Sequence, residues 1–157
     1  METFGKPTIT PFIYYTGKLS AYLTWVAFFL QIAGIDIRIV VLPPWLMNST
    51  LLIALIGTIF AIAAMKDLGS SLRFGLPTIS TEFKSKGLYA ISRNPIYLGI
   101  FALTGAAMTY TFNPIVIILG IYGILTHHLI TLSEEKFLKG RFGQPYIEYC
   151  RKVRRYL

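Results

Sequence analysis

The sequence predicts an all-α, polytopic membrane protein with about four transmembrane helices, a cytoplasmic loop and an amphipathic C-terminal helix. Three observations predict it. Hydrophobic residues make up 54% of the 157 residues and charged residues only 14%, where a soluble domain carries about 25% charged. The charges come in blocks, separated by long uncharged runs. Those runs have the lengths of membrane spans, since a helix needs about 20 apolar residues to cross a bilayer core.

The first run, Leu19 to Ile35, has 17 uncharged residues. It predicts a span over Leu19–Ile39, with Asp36 and Arg38 at the interface. It starts too late and runs too long for a cleavable signal peptide. The second lies between Arg38 and Lys66 and is broken at Pro43-Pro44; it predicts a span over Leu46–Met65. The third holds 40 residues between Arg93 and Glu134 and is interrupted at Asn113-Pro114. Proline disfavours helix in the residue before it and suits the first turn of a new one. The third run is therefore two spans, Ile96–Phe112 and Pro114–Leu132. The whole chain, 1–157, reads as one integral membrane domain.

Composition also excludes other classes. Disorder needs low hydrophobicity and high charge. The net charge of +8 does not make a nucleic-acid binder, because the basic residues are not spread over a soluble surface. A single cysteine, Cys150, excludes a disulfide framework and a cysteine-based metal site.

Lysine and arginine set the orientation. The segment Lys66–Arg93 holds Lys66, Arg73, Lys84, Lys86 and Arg93, and the tail after Leu132 holds seven more basic residues. Lys6 and Lys18 precede the first span. The connections around Pro43–Asn48 and Tyr110–Asn113 hold none. Both termini and the long loop are expected in the cytoplasm, and so is any active site. The loop mixes Gly69, Gly75, Pro77 and Gly87 with Leu68, Phe74, Phe83, Leu88 and Tyr89, the composition of an ordered loop.

Three features carry chemistry. Arg93-Asn94-Pro95 lies where the loop re-enters the membrane. Asn94 can cap the helix that Pro95 starts, and the helix N-terminus with Arg93 suits a carboxylate. A capped helix with a snorkelling arginine is the plainer reading. Glu134-Glu135 stands at the cytoplasmic end of the fourth span, where a helix C-terminus disfavours negative charge. Either the helix continues, or the carboxylates have a cationic partner, or Ser133 caps a new short helix. His127 shares a face with Glu134, and His128 with Glu135. A metal is conceivable there, but adjacent histidines point about 100° apart and chelate poorly. In the tail, Tyr146, Tyr149 and Val153 form one helical stripe among Arg151, Lys152, Arg154 and Arg155. That is either a lipid-surface anchor or a lid with a basic residue aimed at a substrate.

Taken together, Gly87-x-Tyr89, Arg93-Asn94-Pro95-x-Tyr97-x-Gly99, Glu134-Glu135-x-x-Leu138 and Phe142-Gly143-x-x-Tyr146-x-x-Tyr149 resemble the isoprenylcysteine carboxyl methyltransferase and phospholipid methyltransferase family. Asp67-Leu68-Gly69 resembles the element that opens the family's loop. The likeness covers residues 66–155. Two departures stand out: Asn94 replaces the family's usual histidine, and the chain stops at Leu157, about where a proline is often found.

The resemblance implies S-adenosylmethionine as methyl donor and a lipophilic acceptor, isoprenylcysteine-like or phospholipid-like, entering from the bilayer. It implies that Glu134 and Glu135 hold the cofactor's amino group or ribose. Arg93, Asn94 and the helix N-terminus at Pro95 suit its carboxylate. Tyr89, Tyr97 and the backbone around Leu68, Gly69 and Lys84–Gly87 wall the adenine and sulfonium. His128 and Glu135 are candidates to take a proton from an amine acceptor, and Arg154 to orient its head group. No Gly-x-Gly-x-x-Gly follows a strand, so a Rossmann-type cofactor domain is not expected. A non-enzymatic assembly or lipid-binding protein, or a sterol-reductase-like enzyme, are the rival classes.

Overall fold

The computed structural model describes residues 7, 9–69 and 83–157; Lys6, Arg73, Phe74, Gly75 and Pro77 lie outside them. Five helices follow one another: α1 Pro11–Ile32, α2 Pro44–Leu68, α3 Pro95–Thr111, α4 Pro114–Phe142 and α5 Gln144–Lys152, with a 3-10 turn at Gly87–Ala90 before α3. Each of the four long helices opens on a proline. Its fixed φ suits the first turn, and its missing N–H is one that the turn leaves unpaired anyway. No strand forms among the described residues; one isolated bridge pairs Ser92 with Arg154.

α2 and α4 are long and apolar enough to cross a membrane. α3 is the hub of the bundle and packs on α1, α2 and α4, while α1 also packs along α4. The interior is inverted relative to a soluble bundle. Ser20, Thr24, Thr104, Thr126 and Thr131 are buried, whereas Phe29, Leu55, Ile59, Ile118 and Leu125 are exposed, Leu55 at 57%. Lipid tails are as apolar as leucine, so helices in a membrane associate through close packing of small residues and hydrogen bonds between helices. Both occur here. A Cβ on Gly99 would strike the Gly57 carbonyl and the Ala61 side chain, so α2 and α3 cross in near backbone contact. Ser20 donates to the Leu119 carbonyl at 2.7 Å, and Trp25 Nε1 to Thr104 at 3.0 Å.

The helix bounds differ from the expected spans at two places. α1 starts at Pro11 and ends at Ile32, rather than running over Leu19–Ile39. Lys18 therefore stands two turns inside the helix. Asp36 and Arg38 lie beyond it, paired at 2.8 Å. The segment they occupy is tied by Ile37, whose N–H donates to Gln31 and whose carbonyl accepts from Asn113. Charge marks where a run stops being apolar, not where the helix ends. α4 runs ten residues past Leu132, straight through Ser133, so no new helix is capped there.

Candidate functional site

The sequence motifs meet where α3 begins and α4 passes Ser133. Glu134 and Glu135 are neighbours on α4 and point about 100° apart, so they enter different surroundings. Glu135 is saturated. Its carboxylate accepts Arg93 Nε at 3.1 Å and Nη2 at 3.2 Å, Asn94 Nδ2 at 2.8 Å and Arg155 Nε at 3.0 Å. Arg93 and Glu135 side chains are 12% and 11% exposed. This cluster fastens the C-terminal segment. The Arg93 N–H donates to the Arg154 carbonyl at 2.9 Å. Ser92 Oγ and Asn94 Nδ2 both donate to the Arg155 carbonyl. Arg93 Nη1 donates to the carbonyl of Cys150.

Glu134 is left to a different task. Among the described residues, the hydrogen bonds it accepts come from one hydroxyl, Tyr97, at 3.0 and 3.1 Å to its two oxygens. A carboxylate has about four acceptor positions, so Glu134 keeps capacity for a ligand's donors. Beside it, Tyr97 also lies against buried His127, ring centres 6.0 Å apart. His127 Nδ1 donates to the Gly123 carbonyl at 2.7 Å. An open groove of about 510 Å³ follows the same side of α4, lined by Ser133, Lys136, Phe137, Gly140 and Arg141. Arg141 is seven residues from Glu134, two turns along one face.

The loop residues take structural posts around this site. Leu68 ends α2, and Gly69 follows it with φ 52°. Asp67 reaches back from that end to accept the Leu88 N–H at 2.7 Å. Gly87 has φ 63°, and a Cβ there would strike the Asp67 carboxylate; glycine is required on both counts. Tyr89 is buried, and its carbonyl accepts Tyr149 OH at 2.6 Å. Burial pushes the Tyr149 phenol up to about 12, so it stays a donor. Phe83 packs its ring on Phe142, Tyr146 and Tyr149, closing the loop onto α5.

Several expectations are corrected here. Asn94 occupies the position before α3, but its side chain does not cap the helix; it is drawn away by Glu135 and Arg155. The neighbouring turn shows the contrast, for Asn113 does cap α4, accepting from Ile115 N at 3.0 Å. Arg93 is not open to a ligand carboxylate, because Glu135 takes it edge-on. Val153 lies past the end of α5 in extended backbone, so the tail is a short helix and then a strap, not one continuous amphipathic stripe. Of the paired arginines, Arg155 reaches the cluster, while the Arg154 side chain is exposed. Nothing in two adjacent arginines distinguishes them; only the bridge to Ser92 fixes which one turns inward. His128 binds Tyr156 OH at 2.8 Å, and Tyr156 packs on Phe101. Tyr156 was missed, and its sequence signal is only its aromatic character within a basic tail.

An apolar helical bundle with an ionic site at its helix ends defines an integral membrane protein. The family model for phospholipid methyltransferase matches residues 45–145, and the chain belongs to that family. The fold is similar to a solved structure of the eukaryotic intramembrane Ras methyltransferase ICMT (isoprenylcysteine carboxyl methyltransferase), with a TM-score of 0.63 and 23% identity. That likeness covers 92% of this chain and 52% of the other, so the chain spans about half its length. No curated protein matches.

Proposed function

We propose that this protein is an integral membrane methyltransferase that uses S-adenosylmethionine and methylates a lipophilic acceptor, isoprenylcysteine-like or phospholipid-like. One observation carries the reading: Glu134, in the family-matched stretch, is a partly buried carboxylate that, among the described residues, accepts hydrogen bonds from Tyr97 only, next in sequence to Ser133 on the rim of an open groove. A carboxylate so placed suits an ammonium or a ribose diol. When bound, the cofactor supplies an electrophilic methyl group on its sulfonium.

The protein's own share is positioning and exclusion of water. Tyr97 orients Glu134. Tyr89, Leu68, Gly69 and Gly87 form the wall that the loop presents. The Glu135 cluster with Arg93, Asn94 and Pro95 holds that wall to the tail. On the acceptor side, His128 shares a hydrogen bond with Tyr156 through Nδ1; in the tautomer whose Nδ1–H donates to Tyr156, Nε2 takes a proton from an amine. Arg154, exposed beside the strap, meets the anionic part of the head group.

In this reading all four long helices cross the bilayer, residues 1–157 form one membrane domain with its methyltransferase core at 66–155, and the termini and site face the cytoplasm. Calorimetry with S-adenosylhomocysteine on detergent-solubilised protein is the test. Binding is expected; its absence removes the reading.

A further inference from the structure

Lys18 is the notable charge of α1. It lies outside the stretch that matches the family, and two turns inside a helix whose outer face is apolar. A charged side chain at such a depth normally serves a partner or a site. Its Nζ bends toward the start of α1 and donates to Tyr14 OH at 2.6 Å, lying 4.2 Å from the centre of that ring. Tyr14 is buried.

The register between α1 and α4 says what this pair approaches. Ala21 packs on Gly123 and Gly17 on Thr126, so the helices run antiparallel. The face of α4 that carries Thr126 continues two and three turns on as Ser133 and Phe137, which line the groove. α1 begins at Pro11, so its Tyr14 end points along α4 from Thr126 toward Ser133 and Glu134. Lys18 acts electrostatically on Glu134, and Glu134 acts on Tyr14.

The start of α1 thus brings an ammonium toward the stretch of α4 that carries the Glu134 carboxylate, the two charges a zwitterionic ligand needs. Arg93 and Asn94 do not compete for its anion, since both are bound to Glu135. We propose that Lys18 receives the carboxylate of the cofactor's amino-acid end while Glu134 receives its ammonium, an inference that rests on the cofactor reading above.

The experiment measures binding by calorimetry on the full-length, solubilised protein, with S-adenosylhomocysteine and with its decarboxylated analogue, which keeps the ammonium. The unmodified protein should bind the analogue about ten- to a hundredfold more weakly, the range for one charge-assisted hydrogen bond. Lys18→Met should weaken S-adenosylhomocysteine by a similar factor and leave the analogue within about twofold. Lys18→Arg should retain the preference. Equal affinity of the unmodified protein for both ligands overturns the assignment without any variant, and loss of both ligands in Lys18→Met reduces Lys18 to a structural role. If the anion were instead the phosphate of an acceptor lipid, Lys18→Met would raise the KM for lipid and leave both affinities unchanged, which also overturns it. Failure of the unmodified protein to bind either ligand brings down the cofactor reading itself.

Discussion

The guanidinium of Arg93 meets the carboxylate of Glu135 edge-on, Nε 3.1 Å from Oε1 and Nη2 3.2 Å from Oε2. The pair joins the start of α3 to the cytoplasmic turn of α4, and Arg155 adds a third charge from the tail. Removing one partner of a buried ion pair leaves an uncompensated charge, at a cost of about 3–5 kcal/mol. Glu135→Ala should lower thermal stability in detergent and expose the tail to proteolysis. Arg93→Lys keeps the charge but loses the two-point geometry and should also loosen the tail. Unchanged melting in both variants would remove the cluster from the framework of the fold.

Glu134 and Glu135 should fail in different ways. Glu134→Gln removes a charge-assisted contact to a cationic ligand, about 1.5–3 kcal/mol, or ten- to a hundredfold in S-adenosylhomocysteine affinity, with little change in melting temperature. Tyr97→Phe should weaken binding less, because it loosens the carboxylate without removing it. If Glu135→Gln lowers affinity while Glu134→Gln does not, the roles assigned to the two carboxylates are reversed.

The two arginines of the strap should also separate. Arg154→Lys is expected to lower methyl transfer to the lipid and to leave cofactor binding and stability intact. Arg155→Lys loses contacts to Glu135 and should speed proteolysis of the tail. Identical mild effects in a methylation assay and a proteolysis time course would make both residues simple lipid anchors.

Tyr149 docks α5 through its bond to the Tyr89 carbonyl. Tyr149→Phe strands that buried acceptor, a cost of about 1–3 kcal/mol. Burial favours the neutral phenol, which raises its pKa from 10 to about 12 in the folded protein. The unfolded chain then loses this proton first as pH rises, so stability falls between pH 10 and about 12 and is fully present below 10. Melting curves over that range should show a part of the loss that is missing in Tyr149→Phe.

Orientation is open to cysteine labelling in a Cys150→Ser background. Ser85 lies before the 3-10 turn, and Val41, 74% exposed, lies in the connection ahead of α2. Ser85→Cys and Val41→Cys should be reached by an impermeant reagent from opposite faces. Labelling from the same face would contradict the topology.

Much of this protein is dictated by its sequence alone. Apolar runs cut by Pro44 and by Asn113-Pro114 set the number and order of the long helices, because backbone in hydrocarbon must satisfy its own hydrogen bonds and proline dictates where a helix starts. Arg93 and Glu134-Glu135 are legible because they bound an uncharged run, whereas Gly87 and Tyr97 are legible only through the resemblance of their motifs.

What each of them touches was decided by the tertiary structure. Adjacent residues on a helix are equivalent in sequence and point about 100° apart, so only the packing of α4 against α1 and α3 sends Glu134 to Tyr97 and Glu135 to Arg93. Only the bridge between Ser92 and Arg154 turns Arg155 inward. Asn94 looks like a cap, and local rules favour that role, but two acceptors brought in from distant parts of the chain outbid its own helix. Lys18 reads in the sequence as a flanking charge, but Pro11 starts the helix, so Lys18 stands two turns inside α1 and on a seam that packs against α4. Local chemistry fixes where a helix begins and which residues are polar; the rotation of one helix against another, which depends on every contact along the seam, fixes which polar groups meet.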